Sequence, residues 1–418
     1  MKKQQVFEGI KVADFAWVGV GPQVSRELAE HGALVVRVES HTSPDTLRFA
    51  APFKDGIPGI DRSAFATAYN TNKCGMSLNL NKPKGQEVAR RLVQWADIVT
   101  ESMTVGKMAK WGLDYEGCKR IKPDILYYST NQAGQQGPWS RFGGYGQQGA
   151  ALCGFYDLIG YPDRPPTPPV TAITDFIAPW YLVVALVAAL DYRRRTGKGM
   201  YLEQSQWESG LQFLGPWLVD YSVNGRILKR MGNRNPYAAP HGAYRCLGEN
   251  RWVAIAVTTD KQWGDFCRVM GEPDWCKDLR FSTLLARKGN EDELDERVEA
   301  WTVNYTAEEI MWIMQDAEIP AGVVGGGGAG DMFEDPQLKH REHFRFLNHE
   351  VIGRHAYNAP SYRLSETPNH IWKSGPCLGQ DNEYIYKEIL GYTDEEIADF
   401  LVEGVITTEA DVPGVSSV

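Results

Sequence analysis

The chain has 418 residues, more than one ordinary hydrophobic core accommodates, so two domains are expected. Charged residues make up 23% and hydrophobic ones 43%, which excludes a disordered or collagen-like chain. The net charge of −9 argues against a nucleic-acid partner, yet leaves room for a local basic pocket around a small anion.

The opening MKKQQVFEGIKVADF has no apolar signal core, and no run of 18 apolar residues follows anywhere. A cytoplasmic protein with no membrane partner is expected. Residues 11–39, KVADFAWVGVGPQVSRELAEHGALVVRVE, read as strand, glycine turn, amphipathic helix and strand, a βαβ unit. The alternation continues through a helix at KPKGQEVARRLVQWA, a strand at DIVTES, a helix around VGKMAKWG and a strand at DILYYST, as in an open parallel sheet. Two stretches rich in Gly, Pro and Gln follow, GQQGPWSRFGGYGQQG and YPDRPPTPPVT, and they read as loops. TDFIAPWYLVVALVAALDYRRRTGKG, residues 174–199, has a capping residue at its start, an apolar interior and stop signals at Gly197 and Gly199. Its uncharged part, Phe176 to Leu190, is shorter than the roughly 20 residues that span a bilayer, so it reads as a buried core helix. A strand and helix at 200–209, a linker at 211–235, a hairpin at GAYRCLGENRWVAIAV turning on GEN, and helices between 259 and 316 complete the pattern. The expected division is a large α/β domain over 1–224, a smaller α+β domain over 225–330, and a C-terminal segment, 331–418.

Several motifs are incomplete. Gly19-Val20-Gly21-Pro22-Gln23-Val24, with Glu39 ending the next strand, approaches a dinucleotide fingerprint, but Val24 replaces its third glycine and Pro22 removes an N–H. The glycine run 325–328 is not followed by GK[ST] and reads as a hinge. Seven scattered cysteines without a CxxC pair read as reduced and structural, and His340 and His343 lack the context of a zinc helix, so no metal is expected. On local physics alone, Asp175 is a helix cap.

The ordered set of blocks resembles the class III CoA-transferases. It comprises GIKVADFAWVGVGPQVSRELAEHGALVVRVE, YNTNKCGMSLNL, ADIVTESMTVGKMAKWGLDY, ILYYSTNQAGQQGPW, TDFIAPWYLVVALVAALDYRRRTGKGMYLEQSQWES and IPAGVVGGGGAGDMFEDPQLKHREHF. The resemblance implies a large Rossmann-like parallel-sheet domain interrupted by a smaller α+β domain, an interlocked dimer, and a C-terminal segment from about 335 that returns to the large domain. It gives Asp175 a second reading, as the nucleophile that forms aspartyl anhydride and aspartyl-CoA thioester intermediates. By the same resemblance Asn70, Asn72, Lys73, Glu101, Ser102 and Lys110 line the groove for CoA. Val20 and Gln23 lie in the turn expected near the thioester, and Arg37 is added by charge. Tyr145 is counted with the CoA site, although Gly146 stands where many relatives place an accessory carboxylate after that tyrosine. Backbone N–H groups from Gly143 to Gly149 are the candidates for meeting an oxyanion. No permanently bound cofactor is implied; a CoA thioester is a substrate, with a carboxylic acid as acceptor. Succinyl-CoA as donor, an aromatic acceptor such as benzylsuccinate, and a homodimer or a heteromer with a homologous subunit are the finer expectations. The alternatives are an acyl-CoA racemase or intramolecular CoA-transfer isomerase, and a CoA-binding partner subunit.

Overall fold

Six short strands, β1 (Lys11–Phe15), β2 (Leu34–Glu39), β3 (Cys74–Ser77), β4 (Ile98–Glu101), β5 (Leu126–Asn131) and β6 (Met200–Ser205), form one sheet in the computed structural model. That structure describes residues 4–325 and 329–413, so three glycines of the expected hinge, 326–328, lie outside the described residues. The strand order is β3-β2-β1-β4-β5-β6 and every pairing is parallel. Helices bury both faces of such a sheet, which is why β2, β3 and β4 are apolar or buried at nearly every position. The order reverses between β1 and β4, and at such a point the loops leaving the two strands diverge and open a crevice at the strands' carboxyl ends.

The chain divides into two compact units. The larger takes residues 1–155, 168–226 and 342–418. Its C-terminal segment is fastened to the sheet's β3 edge: the Gly75 N–H donates to Asp381, the Asn79 N–H to the Val405 carbonyl, and the Asn72 N–H to the Lys373 carbonyl. The segment of this unit that follows the smaller one begins at Glu342, where the expected boundary was 331.

The smaller unit takes residues 156–167 and 227–341, so the boundaries 225 and 330 shift to 227 and 341. It holds an antiparallel sheet of β7 (His241–Arg245), β8 (Trp252–Ala256) and β9 (Ala321–Val324), covered by helices that include Asp260–Val269 and Ala307–Asp316. The proline-rich segment 156–167 joins this unit through an Arg230–Asp157 ion pair and a Gly232 N–H to Gly160 carbonyl bond of 2.9 Å.

Two stretches expected to be irregular are helical. Gly215–Asn224 is a helix, started by Pro216 in its first turn and stopped by Gly225 in the left-handed conformation. Gly146–Cys153 is another, because the GAALC that follows the glycines can continue a turn once it is packed. The helix Ile173–Thr196 has 24 residues and is long and apolar enough to cross a membrane by length and composition. Only a third of its apolar stretch is buried, so it is not the fully buried helix expected. Thr174, Ala178, Leu182, Leu186 and Ala189 face inward, while Phe176, Trp180, Val184 and Val187 form an exposed stripe at helical spacing.

Candidate active site

The turn leaving β1 is held in a conformation that its sequence does not favour. Val18 has φ of 61°, a left-handed value costly for a β-branched residue, and the Asp45 carboxylate accepts its N–H at 3.0 Å. Arg37 donates from Nη2 to Asp45 at 2.5 Å and from Nη1 to the Ala16 carbonyl at 2.8 Å. Lys73 Nζ donates to the Pro22 carbonyl at 2.8 Å, to Asp14 at 2.9 Å and to Asn70 Oδ1 at 2.9 Å. Asp14 also accepts from the Ser25 and Thr100 hydroxyls, each at 2.7 Å. Burial alone would raise the Asp14 carboxyl, but Lys73 and Arg37 beside it hold it below the usual carboxylate value. Burial pushes the Lys73 ammonium down to about 8 against the pull of Asp14. Ser102 closes the other side, donating its hydroxyl to the Trp17 carbonyl and accepting the Trp17 N–H, both at 2.7 Å.

Asp175 stands opposite this turn, in the first turn of the helix Ile173–Thr196. It is not the expected cap. Ala172 occupies the cap position, with no side-chain cap bond, and the Asp175 carboxylate instead accepts the Gly146 N–H. The Thr174 hydroxyl donates to the Gly146 carbonyl at 3.0 Å, so the two segments clasp each other in both directions. Two glycines make the close approach possible: a Cβ at Gly146 would lie 2.7 Å from Asp175 Cγ, and one at Gly19 would lie 3.1 Å away. Asp175 is 9% exposed, and burial raises its carboxyl from the ordinary 3.8 to about 6, with the Gly146 N–H acting in the opposite direction. Tyr69, which sequence reasoning did not single out, is near enough that burial and then the Asp175 charge raise its phenol.

A cavity of about 560 Å³ opens in front of Asp175 at the carboxyl ends of β1, β4 and β5. Its walls are the Trp17–Val20 turn, Ser102–Gly106, Lys110, Thr130–Gln132, Ser140–Tyr145 and Gln206. A second cavity of about 290 Å³ shares Trp17, Val18, Ser102, Met103 and Thr104 with it and continues past Leu78, Asn81, Lys107 and Trp111. The two cavities adjoin along these shared residues.

Of the positions expected to contact CoA, Val20, Ser102, Lys110 and Tyr145 line the cavity with Asp175. The others are placed elsewhere. Arg37 and Lys73 are fully buried, their charges taken up by the bonds that pin the turn, so neither is free to meet a phosphate. Asn70 is bound to Lys73 and to the Ala66 carbonyl. Asn72, itself at φ 60°, accepts the Trp372 and Lys373 N–H groups and so holds the C-terminal segment. Gln23 lies behind the site, donating to the Asp175 main-chain carbonyl at 2.9 Å. Glu101 accepts the Met103 N–H at 2.7 Å and faces a separate cavity; burial raises its carboxyl to about 7 despite the Ser129 and Met103 donors. Trp17, Arg141 and Phe142 line the main cavity without having been anticipated, since they sit in loops with no motif spacing. Among the described residues, no group of three His, Cys, Asp or Glu side chains is placed to hold a metal ion.

An open parallel sheet with a cavity at its switch point, and one desolvated carboxylate at a helix start inside that cavity, define an α/β protein with a candidate site built around a carboxylate. The chain belongs to CoA-transferase family III, which it matches over residues 7–382, and it is a class III CoA-transferase. It is 30% identical over 399 residues to a succinyl-CoA–D-citramalate CoA-transferase of Chloroflexus aurantiacus, covering 96% of this chain and 98% of that protein. It is also 30% identical to the beta subunit of a succinyl-CoA–L-malate CoA-transferase from the same organism, over 95% of this chain and 97% of that subunit. Among solved structures, a CaiB/BaiF family protein from Brucella suis superimposes with a TM-score of 0.83 at 30% identity, over 93% of this chain and 100% of that one.

Proposed function

We propose that the chain transfers CoA from succinyl-CoA to a second carboxylic acid through covalent intermediates on Asp175. The observation that supports this most is Asp175 itself: a desolvated carboxylate beside the Gly146 N–H, in a cavity of about 560 Å³ that shares residues with a second. Its oxygen attacks the thioester carbonyl, the C–S bond breaks, and a mixed anhydride forms as CoA leaves as the thiolate. The thiolate attacks the aspartyl carbonyl and releases the donor acid, leaving an aspartyl-CoA thioester. The acceptor carboxylate attacks that thioester, the thiolate leaves again, and it then takes the acyl group from the second anhydride, regenerating the Asp175 carboxylate. One thioester is consumed and one formed.

The succinyl donor follows from the names of the relatives. Trp17, Phe142 and Tyr145 around the cavity favour an acceptor with an aromatic ring, of which benzylsuccinate is the example. A dimer is part of the proposal, either of two copies or with a homologous subunit. The exposed stripe Phe176, Trp180, Val184 and Val187 needs a cover, and one relative is itself a subunit.

The test is incubation with succinyl-CoA and a panel of acids, with chromatography of the thioesters. Hydroxylamine added during turnover should mark the peptide containing Asp175. A new thioester from one acyl-CoA with no acceptor present would favour the isomerase or racemase reading, and a label on another carboxylate would remove Asp175 from the chemistry.

A further inference from the structure

The walls of the main cavity carry a net positive charge. Lys110 and Arg141 are its cations and Asp175 its only carboxylate. Among the described residues, neither Lys110 nor Arg141 has an ion-pair partner for its charged group. That is unusual in a chain where 53 acidic residues outnumber 44 basic ones. Lys110 belongs to the short helix Lys107–Lys110, whose other end reaches the second cavity through Lys107, with Trp111 next to it. Lys107 thus lines a cavity that Asp175 does not, whereas Lys110 lines the main one.

Arg141, like Lys110, lines the main cavity and not the second. It lies in the run Ser140–Tyr145, which leads directly into Gly146, the residue whose N–H holds the Asp175 carboxylate. Phe142 and Trp17 supply apolar wall in the same cavity. An acyl group bound at Asp175 would thus have hydrocarbon surface along its chain and a planar, permanently charged fork within the same chamber, a geometry suited to a second carboxylate.

Resting on the transferase reading above, we infer that Arg141 is a specificity-determining residue: it binds the distal carboxylate of a dicarboxylic acyl group and so selects diacids over monocarboxylic acids of equal length. A monocarboxylic chain leaves the guanidinium unpaired and gains nothing from it. A diacid forms a charge-assisted bond there in donor and acceptor alike, so both half-reactions share one determinant.

The experiment compares wild type, Arg141→Ala and Arg141→Lys with succinate and butyrate, as free acids and as CoA thioesters. Arg141→Ala should raise the KM for succinate and for succinyl-CoA at least tenfold while leaving butyrate and butyryl-CoA within about twofold, and Arg141→Lys should recover part of the loss. An equal rise for succinyl-CoA and butyryl-CoA would make Arg141 a CoA phosphate contact and overturn the inference. So would an unchanged preference for succinate. Calorimetric binding of the two free acids to the same three proteins tests Arg141 apart from turnover: a succinate preference in wild type that Arg141→Ala abolishes supports it, and its persistence refutes it. The transferase reading fails separately, if wild type forms no new thioester with any acid and no hydroxylamine adduct at Asp175.

Discussion

Asp175→Asn should abolish transfer and make the protein more stable at neutral pH. Burial raises the carboxyl from 3.8 to about 6, which means that the folded state holds the proton more tightly than the unfolded state does. Between those two values the folded chain binds more protons, so stability falls as pH rises through the interval and stays reduced above it. The gap from 3.8 to about 6 corresponds to about 3 kcal/mol of destabilisation at pH 7.5, an upper bound for a single site. Asparagine removes the charge and can still accept the Gly146 N–H, so the variant should melt a few degrees higher at pH 7.5 and match wild type below pH 4. Thermal melts of both proteins from pH 4 to 8 read the effect directly. On the proposed mechanism the same titration should set the acid limb of wild-type activity, since only an ionised carboxylate attacks. kcat/KM should fall about tenfold per pH unit well below 6. An Asn variant no more stable than wild type at pH 7.5, together with activity flat down to pH 4.5, would show that the carboxylate is solvated and the desolvation argument wrong.

Lys110→Ala should raise the KM for every CoA thioester alike with little change in turnover, because it loses a phosphate contact and nothing at the reacting carbon; steady-state kinetics with two acyl-CoAs check this. Gly146→Ala places a Cβ 2.7 Å from Asp175 Cγ and from Ala172 Cβ, so it should cost about 1–3 kcal/mol in urea melts and reduce transfer more than tenfold. Lys73→Met should cost about 3–5 kcal/mol, because it leaves Asp14 buried with Arg37 at 3.8 Å as its remaining cation. The thermal melt of that variant should be lowered even with saturating CoA thioester, whereas a lysine acting on phosphate would show its effect in KM.

The sheet was legible in the sequence because its strands are buried on both faces and read as short apolar runs between glycine turns. Asp175 was marked out by resemblance, and it lines the main cavity. The helix Gly215–Asn224 was not legible: its sequence GPWLVDYSVN has no polar face, and Trp217, Leu218, Val219, Tyr221 and Val223 are all exposed, so helical periodicity gave no signal. Arg37 and Lys73 were misplaced for a different reason. A sequence displays a cation but not its partner, and Asp14 lies 59 positions before Lys73. Burial also reverses the expectation for Asp175, since a helix start alone would lower the carboxyl, whereas its packing against Gly19 and Gly146 removes the water that would keep it ordinary.

These misplacements share one physical cause. A carboxylate nucleophile gains reactivity when its pKa approaches the working pH, and that requires little water around it. Little water requires close packing, here by glycines on both sides, and close packing tolerates no drift of the opposing turn. That turn contains Val18 in a left-handed conformation, which would relax unless held. Hydrogen bonds to its N–H and to the Ala16 and Pro22 carbonyls hold it, and the donors and acceptors that make them are Asp45, Arg37 and Lys73. The two buried cations beside the turn, Arg37 and Lys73, are therefore occupied in holding it against Asp175, and the anionic substrates of the proposed reaction must be met by other cations. Lys110 and Arg141, exposed and without ion-pair partners among the described residues, are the two that the main cavity offers.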